Sequence, residues 1–121
     1  MKSSVEKGKY AEDVAANYLE SNGLTVIDRN YRFMKSEVDI VAYQGNEVVF
    51  VEVRSLKSEV FGRPEETISL AKQKQVFQAA EAWLYEKRME GARVRFDVVS
   101  VLTNYDDSEP EITHFRNAFW Y

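Results

Sequence analysis

The stretch SEVDIVAYQGNEVVFVEVR, residues 36–54, constrains this chain more than any other. Two valine-rich runs flank Gly45-Asn46, a two-residue hairpin signal. With that loop, Asp39 falls opposite Glu52 and Glu37 falls opposite Arg54. Side chains alternate along a strand. Glu37 and Asp39 therefore share one face, and Glu52 and Arg54 share the matching face. Val38, Ile40, Val49, Val51 and Val53 point the other way, into the core.

Charges inside such a hairpin are costly unless they are paired or bind something. Glu37 and Arg54 read as a cross-strand ion pair. Asp39 and Glu52 do not, because like charges opposite one another destabilise a hairpin. Three escapes exist: one carboxyl is protonated, a nearby cation neutralises both, or a divalent metal bridges them. Val41, Val48 and Phe50 flank the acids on that face and make it partly dry. The plain alternative is that these acids form the solvated side of a hairpin.

The rest of the chain supplies what such a hairpin needs around it. Ala11, Val14, Ala15, Tyr18 and Leu19 recur at helical spacing, which predicts a helix over 6–22 that stops at Asn22-Gly23. A strand is expected over 24–30, then the two hairpin strands over 37–43 and 47–55, then a loop over 58–66 containing Phe61-Gly62-Arg63-Pro64. Ser69 is placed to cap a second helix, with Ile68 as its hydrophobic staple residue. Val76, Ala80, Trp83 and Leu84 form the apolar stripe of that helix, with Phe77 beside them, and Gly91 ends it. Strands over 94–102 and 111–116 follow, separated by a polar turn over 104–110. The order αβββαββ is that of an α/β domain in which helices pack on a mixed sheet. No internal repeat or linker-like run divides the chain, so residues 1–121 read as one domain.

Composition narrows the chemistry. With no cysteine, disulfides and thiolate metal sites are excluded, and the single His114 excludes a histidine-rich site. Any metal must sit on oxygen ligands, which selects a hard ion such as Mg²⁺ or Mn²⁺. A net charge of -4 argues against coating nucleic acid by bulk charge. It leaves room for a local site in which a metal ion neutralises carboxylates that face phosphate. No segment approaches the ~20 apolar residues of a membrane span. The opening MKSSVEKGKY lacks the apolar core of a secretory signal. A cytoplasmic protein without membrane association is the expectation.

The motifs resemble a known pattern. Asp39 followed by Glu52-Val53-Arg54 is similar to the PD-(D/E)xK nuclease signature. More closely, the chain resembles the YraN-like family of small, largely uncharacterised bacterial proteins, related in fold to archaeal Holliday-junction resolvases and restriction endonucleases. Gly8-Lys9-Tyr10-Ala11-Glu12 with Ala15 looks like its opening G-x-x-x-E-x-x-A helix, and Arg29-Asn30-Tyr31-Arg32 looks like its R-N-[YW]-R element. Ser36-Glu37-Val38-Asp39-Ile40-Val41 looks like G-E-I-D-L-I, and Val49 to Arg54 looks like V-F-V-E-V-[KR]. Phe61-Gly62, Lys72-Gln73 and Arg95-Phe96-Asp97-Val98-Val99 also match, so the resemblance spans nearly the whole chain.

That resemblance implies a restriction-endonuclease-like fold and a divalent-metal-dependent endonuclease acting on DNA, on branched or repair intermediates. Asp39 and Glu52 would be ligands of Mg²⁺ or Mn²⁺. Glu12 would be the acid delivered by the first helix, and Arg54 stands where the superfamily usually has lysine. Lysine can lose its proton when buried, but arginine stays charged. Arg54 is therefore suited to bind phosphate or stabilise a transition state, and unsuited to act as a base. A nucleic-acid-binding module without turnover is the alternative. Ser36 replaces the glycine of the family pattern and changes the entry to its strand. Related resolvases act as dimers, so a homodimer is the analogous expectation.

Other residues carry weaker expectations. Arg32 and Lys35, with Tyr31 and Phe33 between, suit phosphate contact and base stacking. Lys72 and Gln73 open the second helix, either as nucleic-acid contacts or as an exposed first turn. Asp97 reads as a hydrogen-bonded structural acid and His114 as a surface or edge residue. The apolar end Ala118-Phe119-Trp120-Tyr121 reads as a segment that folds back on the core or makes a subunit contact.

Overall fold

The computed structural model describes residues 4–57, 68–103 and 109–120. The expected loop over 58–66, most of the expected turn over 104–110, and Tyr121 lie outside those residues. The elements are α1 (Ser4–Ser21), β1 (Thr25–Phe33), β2 (Ser36–Gln44), β3 (Glu47–Lys57), α2 (Leu70–Glu86), β4 (Arg93–Thr103) and β5 (Glu111–Phe119). This is the expected αβββαββ order. The strands form one five-stranded sheet in the order β1-β2-β3-β4-β5. It is mixed: β3 and β4 run parallel, and the other neighbours are antiparallel. A parallel pair needs a crossover, and α2 lies within it. Among the described residues, no helix is long and apolar enough to cross a membrane.

Each face of the sheet has its own core. Ala11, Ala15 and Leu19 of α1 pack with Ile40, Ala42, Val49, Val51, Val99 and Val101. Val76, Ala79, Ala80 and Trp83 of α2 pack with Val41, Val48, Phe50, Phe96 and Val98 on the opposite face. Phe119 is buried in this second cluster and so folds back on the core, while Ala118 and Trp120 stay exposed.

Local chemistry explains the helix ends. Gly23 at φ 89 ends α1, and Leu24 N–H donates to the Leu19 carbonyl at 3.0 Å. Both leucines enter the α1-side core, as a Schellman cap requires. The second helix ends before the expected Gly91. Arg88 adopts φ 57, and Met89 N–H donates to the Leu84 carbonyl at 2.8 Å. The same cap forms there with arginine in the position that glycine usually takes. At the start of α2, Ser69 caps as expected, its Oγ accepting from Lys72 N–H at 3.1 Å. The staple does not form, because the partner position is Gln73. Its side-chain amide instead donates to the Ile68 carbonyl at 3.1 Å.

The Gly45-Asn46 loop sets the expected register. Gln44 pairs with Glu47, and the ladder continues through Ile40 opposite Val51. At Asp39 the alternation breaks. Ile40 packs in the α1-side core, yet Val38 packs in the α2-side core. The expectation that Val38 and Ile40 share a face is therefore corrected. Asn30 of β1 sits at the same level, between the pairs Arg29–Ile40 and Tyr31–Val38, and has φ 54. The kink thus runs through both strands.

Aspartates serve similar irregularities elsewhere. The β1–β2 register shifts between Val26 and Asp28, where Asp28 Oδ1 accepts from Arg29 N–H at 2.9 Å. Asp28 Oδ2 also accepts from the Trp83 indole N–H at 3.1 Å, which satisfies that buried donor. The β4–β5 register shifts between Phe96 and Val98, where Asp97 Oδ1 accepts from Asn117 N–H at 2.9 Å. In each case a carboxylate takes a backbone N–H beside a disturbed ladder and so supplies that donor with a partner.

Asp97 is fully buried and read correctly as a hydrogen-bonded structural acid. Arg95 donates to it through Nε at 2.9 Å and Nη2 at 3.0 Å. His114 Nε2 lies 2.7 Å from its Oδ2, and the Tyr18 hydroxyl lies 3.3 Å from His114 Nδ1. The His114 side chain is 4% exposed, so the expectation of a surface residue is corrected. It sits on an edge strand but points inward, beneath α1.

Candidate functional site

Asp39 occupies the fork where β2 leaves its ladder with β3. Its Oδ2 accepts from Val53 N–H at 2.8 Å, which fixes the carboxylate between the strands. On the α1 side it lines an open cavity of about 510 Å³, together with Gly8, Lys9, Glu12, Arg29, Asn30 and Glu37. Glu12 is buried at the wall of this cavity. Its Oε1 accepts from Arg29 Nε at 3.0 Å and from Asn30 Nδ2 at 2.8 Å. Arg29 also reaches Asp13 at 2.6 Å. Its guanidinium holds the Asp13 carboxyl below the ordinary carboxylate value. Arg29 and Asn30 are thus parts of the site that sequence reasoning did not connect with Glu12. The signal was present in Arg29-Asn30-Tyr31-Arg32, but it named a motif without saying which acid it served.

Glu52 enters from the other face. Val51 and Val53 pack on the α1 side, so alternation sends Glu52 and half-buried Arg54 toward α2. Lys72 Nζ of α2 lies 3.7 Å from Glu52 Oε2. Glu52 is 7% exposed, and its Oε1 has no hydrogen-bond partner. Burial, then the negative charge of Asp39, pushes the Glu52 carboxyl up to about 8, while Lys72 opposes the rise. The two acids therefore approach one another across the fork, from opposite sides of the sheet. The expectation that they share one flat face is corrected by the kink at Asp39.

The remaining candidates divide. Glu37 forms its ion pair with Arg32, its register partner on β1, at 3.3 Å. The cross-strand ion pair of Glu37 is therefore made toward β1. Arg32 is mostly exposed. Lys35 is exposed in the β1–β2 turn and lines a separate groove with Phe33, Met34 and Tyr85. Tyr31 packs partly against the α2-side core. Gln73 is turned back to Ile68. The structure gathers Glu12, Asp39, Glu52 and Lys72 around the fork, and sets Lys35 and Gln73 apart from it.

Among the described residues, no group of three or more His, Asp or Glu is arranged to hold a metal ion. The converging acids are a pair. Among the described residues, the only buried side-chain atom besides Glu52 Oε1 without a partner is Ser100 Oγ, on the strand position opposite Arg54. An unpaired buried hydroxyl costs ~1–3 kcal/mol of desolvation. Ser100→Ala is therefore expected to leave the urea midpoint unchanged or to raise stability by about 1 kcal/mol. A loss of that size would show that the hydroxyl has a partner in solution.

Comparison with known proteins places the chain among relatives of similar length. It is 40% identical over 112 residues to a UPF0102 protein of Rhodococcus opacus, covering 93% of this chain and 94% of that one. It is likewise 40% identical to one from Syntrophotalea carbinolica, covering 93% and 89%. A third, from Clostridioides difficile, is 38% identical, covering 94% and 96%. Among solved structures it is similar to SfsA of Pyrococcus furiosus, determined in complex with Ca²⁺, at 15% identity and a TM-score of 0.41. That similarity covers 91% of this chain and 62% of the other. Residues 11–101 match the profile of the family described as Uncharacterised protein family UPF0102, in agreement with the YraN-like resemblance. With a match over most of its length and relatives at about 40% identity, the chain belongs to the UPF0102 family.

Proposed function

We propose that the protein is a divalent-metal-dependent endonuclease acting on DNA, on branched or repair intermediates. The observation that carries this reading is the Asp39–Glu52 pair, with Glu52 Oε1 buried and unpartnered. Two carboxylates forced together need a proton or a cation between them. Oxygen donors of this kind suit Mg²⁺ or Mn²⁺. When bound, such an ion would supply activation of water and stabilisation of charge on a phosphate. Asp39 and Glu52 hold it. Asp39 is pre-aligned by Val53 N–H. Glu12 acts through its hydrogen bonds to Arg29 and Asn30, which shape the cavity wall. Arg54 offers the fixed positive charge and planar donors of a guanidinium to negative phosphate oxygens. Lys72 beside Glu52, and Arg32 paired with Glu37, are further basic side chains suited to phosphate contact. Lys35 and Gln73 belong to any more extended DNA contact. The reading carries cytoplasmic residence with it and, by analogy with resolvases, a homodimer.

A second reading, a DNA-binding module without turnover, is favoured by one observation. The lysine of the nuclease signature is replaced by Arg54. One experiment separates the two. Linear, flapped and four-way DNA are incubated with the protein in Mn²⁺, Mg²⁺ or EDTA, beside Asp39→Ala. Cutting is expected only with metal, and is expected to fall at least ~10²-fold in the variant, the scale of losing several kcal/mol of charge stabilisation. Binding without cutting selects the module, and neither binding nor cutting ends both readings.

A further inference from the structure

Lys72 stands in the first turn of α2, held in place through its backbone N–H by the Ser69 cap. Its ammonium is 3.7 Å from Glu52 Oε2, and its side chain is 35% exposed. A tight charge-assisted contact is ~2.7–2.9 Å long, so this pair is loose. Lysine is a compact charge on a flexible stem with three donors, free to change partners. Glu52 faces a like charge, Asp39, on its other side. While no cation lies between the acids, Lys72 is the cation available to Glu52 from α2. Once the acids are engaged by a divalent cation, the same ammonium faces a site whose negative charge is already neutralised. Its best remaining partner is then an anion brought into the fork.

We propose that Lys72 is a metal-released phosphate contact. It pairs with the ionised carboxylate of Glu52 in the metal-free protein and turns to a backbone phosphate oxygen of bound DNA when Asp39 and Glu52 hold a divalent cation. This inference rests on the nuclease reading above and adds to it a coupling between metal and DNA through one side chain. It makes Lys72 a DNA-binding residue whose effect depends on the metal, unlike an ordinary surface lysine, whose loss weakens DNA binding equally in all conditions.

The test is fluorescence anisotropy of a labelled DNA duplex with the full chain at pH 9, where Glu52 is ionised with or without metal, in EDTA and in Ca²⁺, across a series of salt concentrations. Ca²⁺ takes oxygen ligands as Mg²⁺ does, with a more flexible geometry. Wild type is expected to bind more tightly in Ca²⁺. Lys72→Met, which keeps the apolar stem, is expected to match wild type in EDTA and to bind ~10-fold more weakly in Ca²⁺. The slope of log affinity against log salt should shrink by about one phosphate contact in Ca²⁺ alone. Lys72→Arg restores the charge and is expected to stay within about threefold of wild type. Asp39→Ala should abolish the Ca²⁺ effect. Equal weakening of Lys72→Met in both conditions, no weakening in Ca²⁺, or wild-type binding that ignores Ca²⁺ overturns the Lys72 inference while leaving DNA binding intact. Failure of wild type to bind DNA in either condition overturns the nuclease reading, and this inference with it.

Discussion

In the absence of divalent ions, the thermal stability of the protein is expected to fall as pH rises from about 5 to 8, and Glu52→Gln is expected to remove that fall. The cause is the carboxyl of Glu52, pushed up from 4.5 to about 8 by burial first and by Asp39 second. Across this window the folded protein keeps a proton that the unfolded chain has released. The unfolded state then binds fewer protons, so each pH unit costs folding about 1.4 kcal/mol. The contribution is whole below about 4.5, is lost as pH approaches 8, and stays lost above it. Glutamine keeps the shape and carries no charge to desolvate, so at pH 8 the variant should be the more stable by several kcal/mol. Asp13 and Asp97 are both held below the ordinary carboxylate value and act only at more acidic pH. Adding Mn²⁺ should raise the melting temperature of wild type more at pH 8 than at pH 6, because the proton must leave before the ion binds. A wild-type profile that is flat from pH 5 to 8, or a glutamine variant that tracks it, would remove the buried carboxyl as the cause.

The largest loss of stability is expected at Asp97→Ala. Burial pushes the Asp97 carboxyl up, but hydrogen bonds from His114, Arg95 and Asn117 N–H outweigh it and hold the group low. Deleting the carboxylate strips partners from all three at once. Arg95 keeps Glu47 at 3.1 Å and Gln44 at 2.8 Å, but His114 Nε2 and Asn117 N–H keep nothing of equal strength. Breaking a buried ion pair from one side costs ~3–5 kcal/mol, against a total stability of ~5–15 kcal/mol for a typical domain. The variant should melt more than ~10 °C lower. Exchange of the β5 amides should speed up before those of β3, because β5 is an edge strand held by this network. His114→Phe keeps a ring and loses the polar contacts, so it should cost less than Asp97→Ala. A loss below about 1 kcal/mol at Asp97 would mean that β5 is held by Phe115 and Phe119 packing alone.

Sequence and structure divide the site unevenly. The hairpin register was legible because Gly45 and Asn46 are the whole loop, and a two-residue loop leaves little freedom in pairing. The α1 stripe, the α2 stripe and the Ser69 cap were legible for the same kind of reason: each is settled by residues within a turn or two. The kink at Asp39 was not. Alternation assumes a regular pleat, and the pleat breaks where Asp39 takes Val53 N–H and Asn30 adopts φ 54 on the neighbouring strand. The burial of His114 was equally hidden, since its partners Asp97 and Tyr18 are 17 and 96 residues away.

By itself the sequence determined the element order and the register around Gly45-Asn46 as far as the Ile40–Val51 pair. Periodicity and loop length are local properties that short-range sterics and burial enforce. Only the tertiary structure decided that the two acids meet across a fork from opposite faces, that Arg29 and Asn30 anchor Glu12, and that Lys72 answers Glu52. Those are contacts between elements, set by where a strand bends and which face a helix covers, and no spacing along the chain encodes either one.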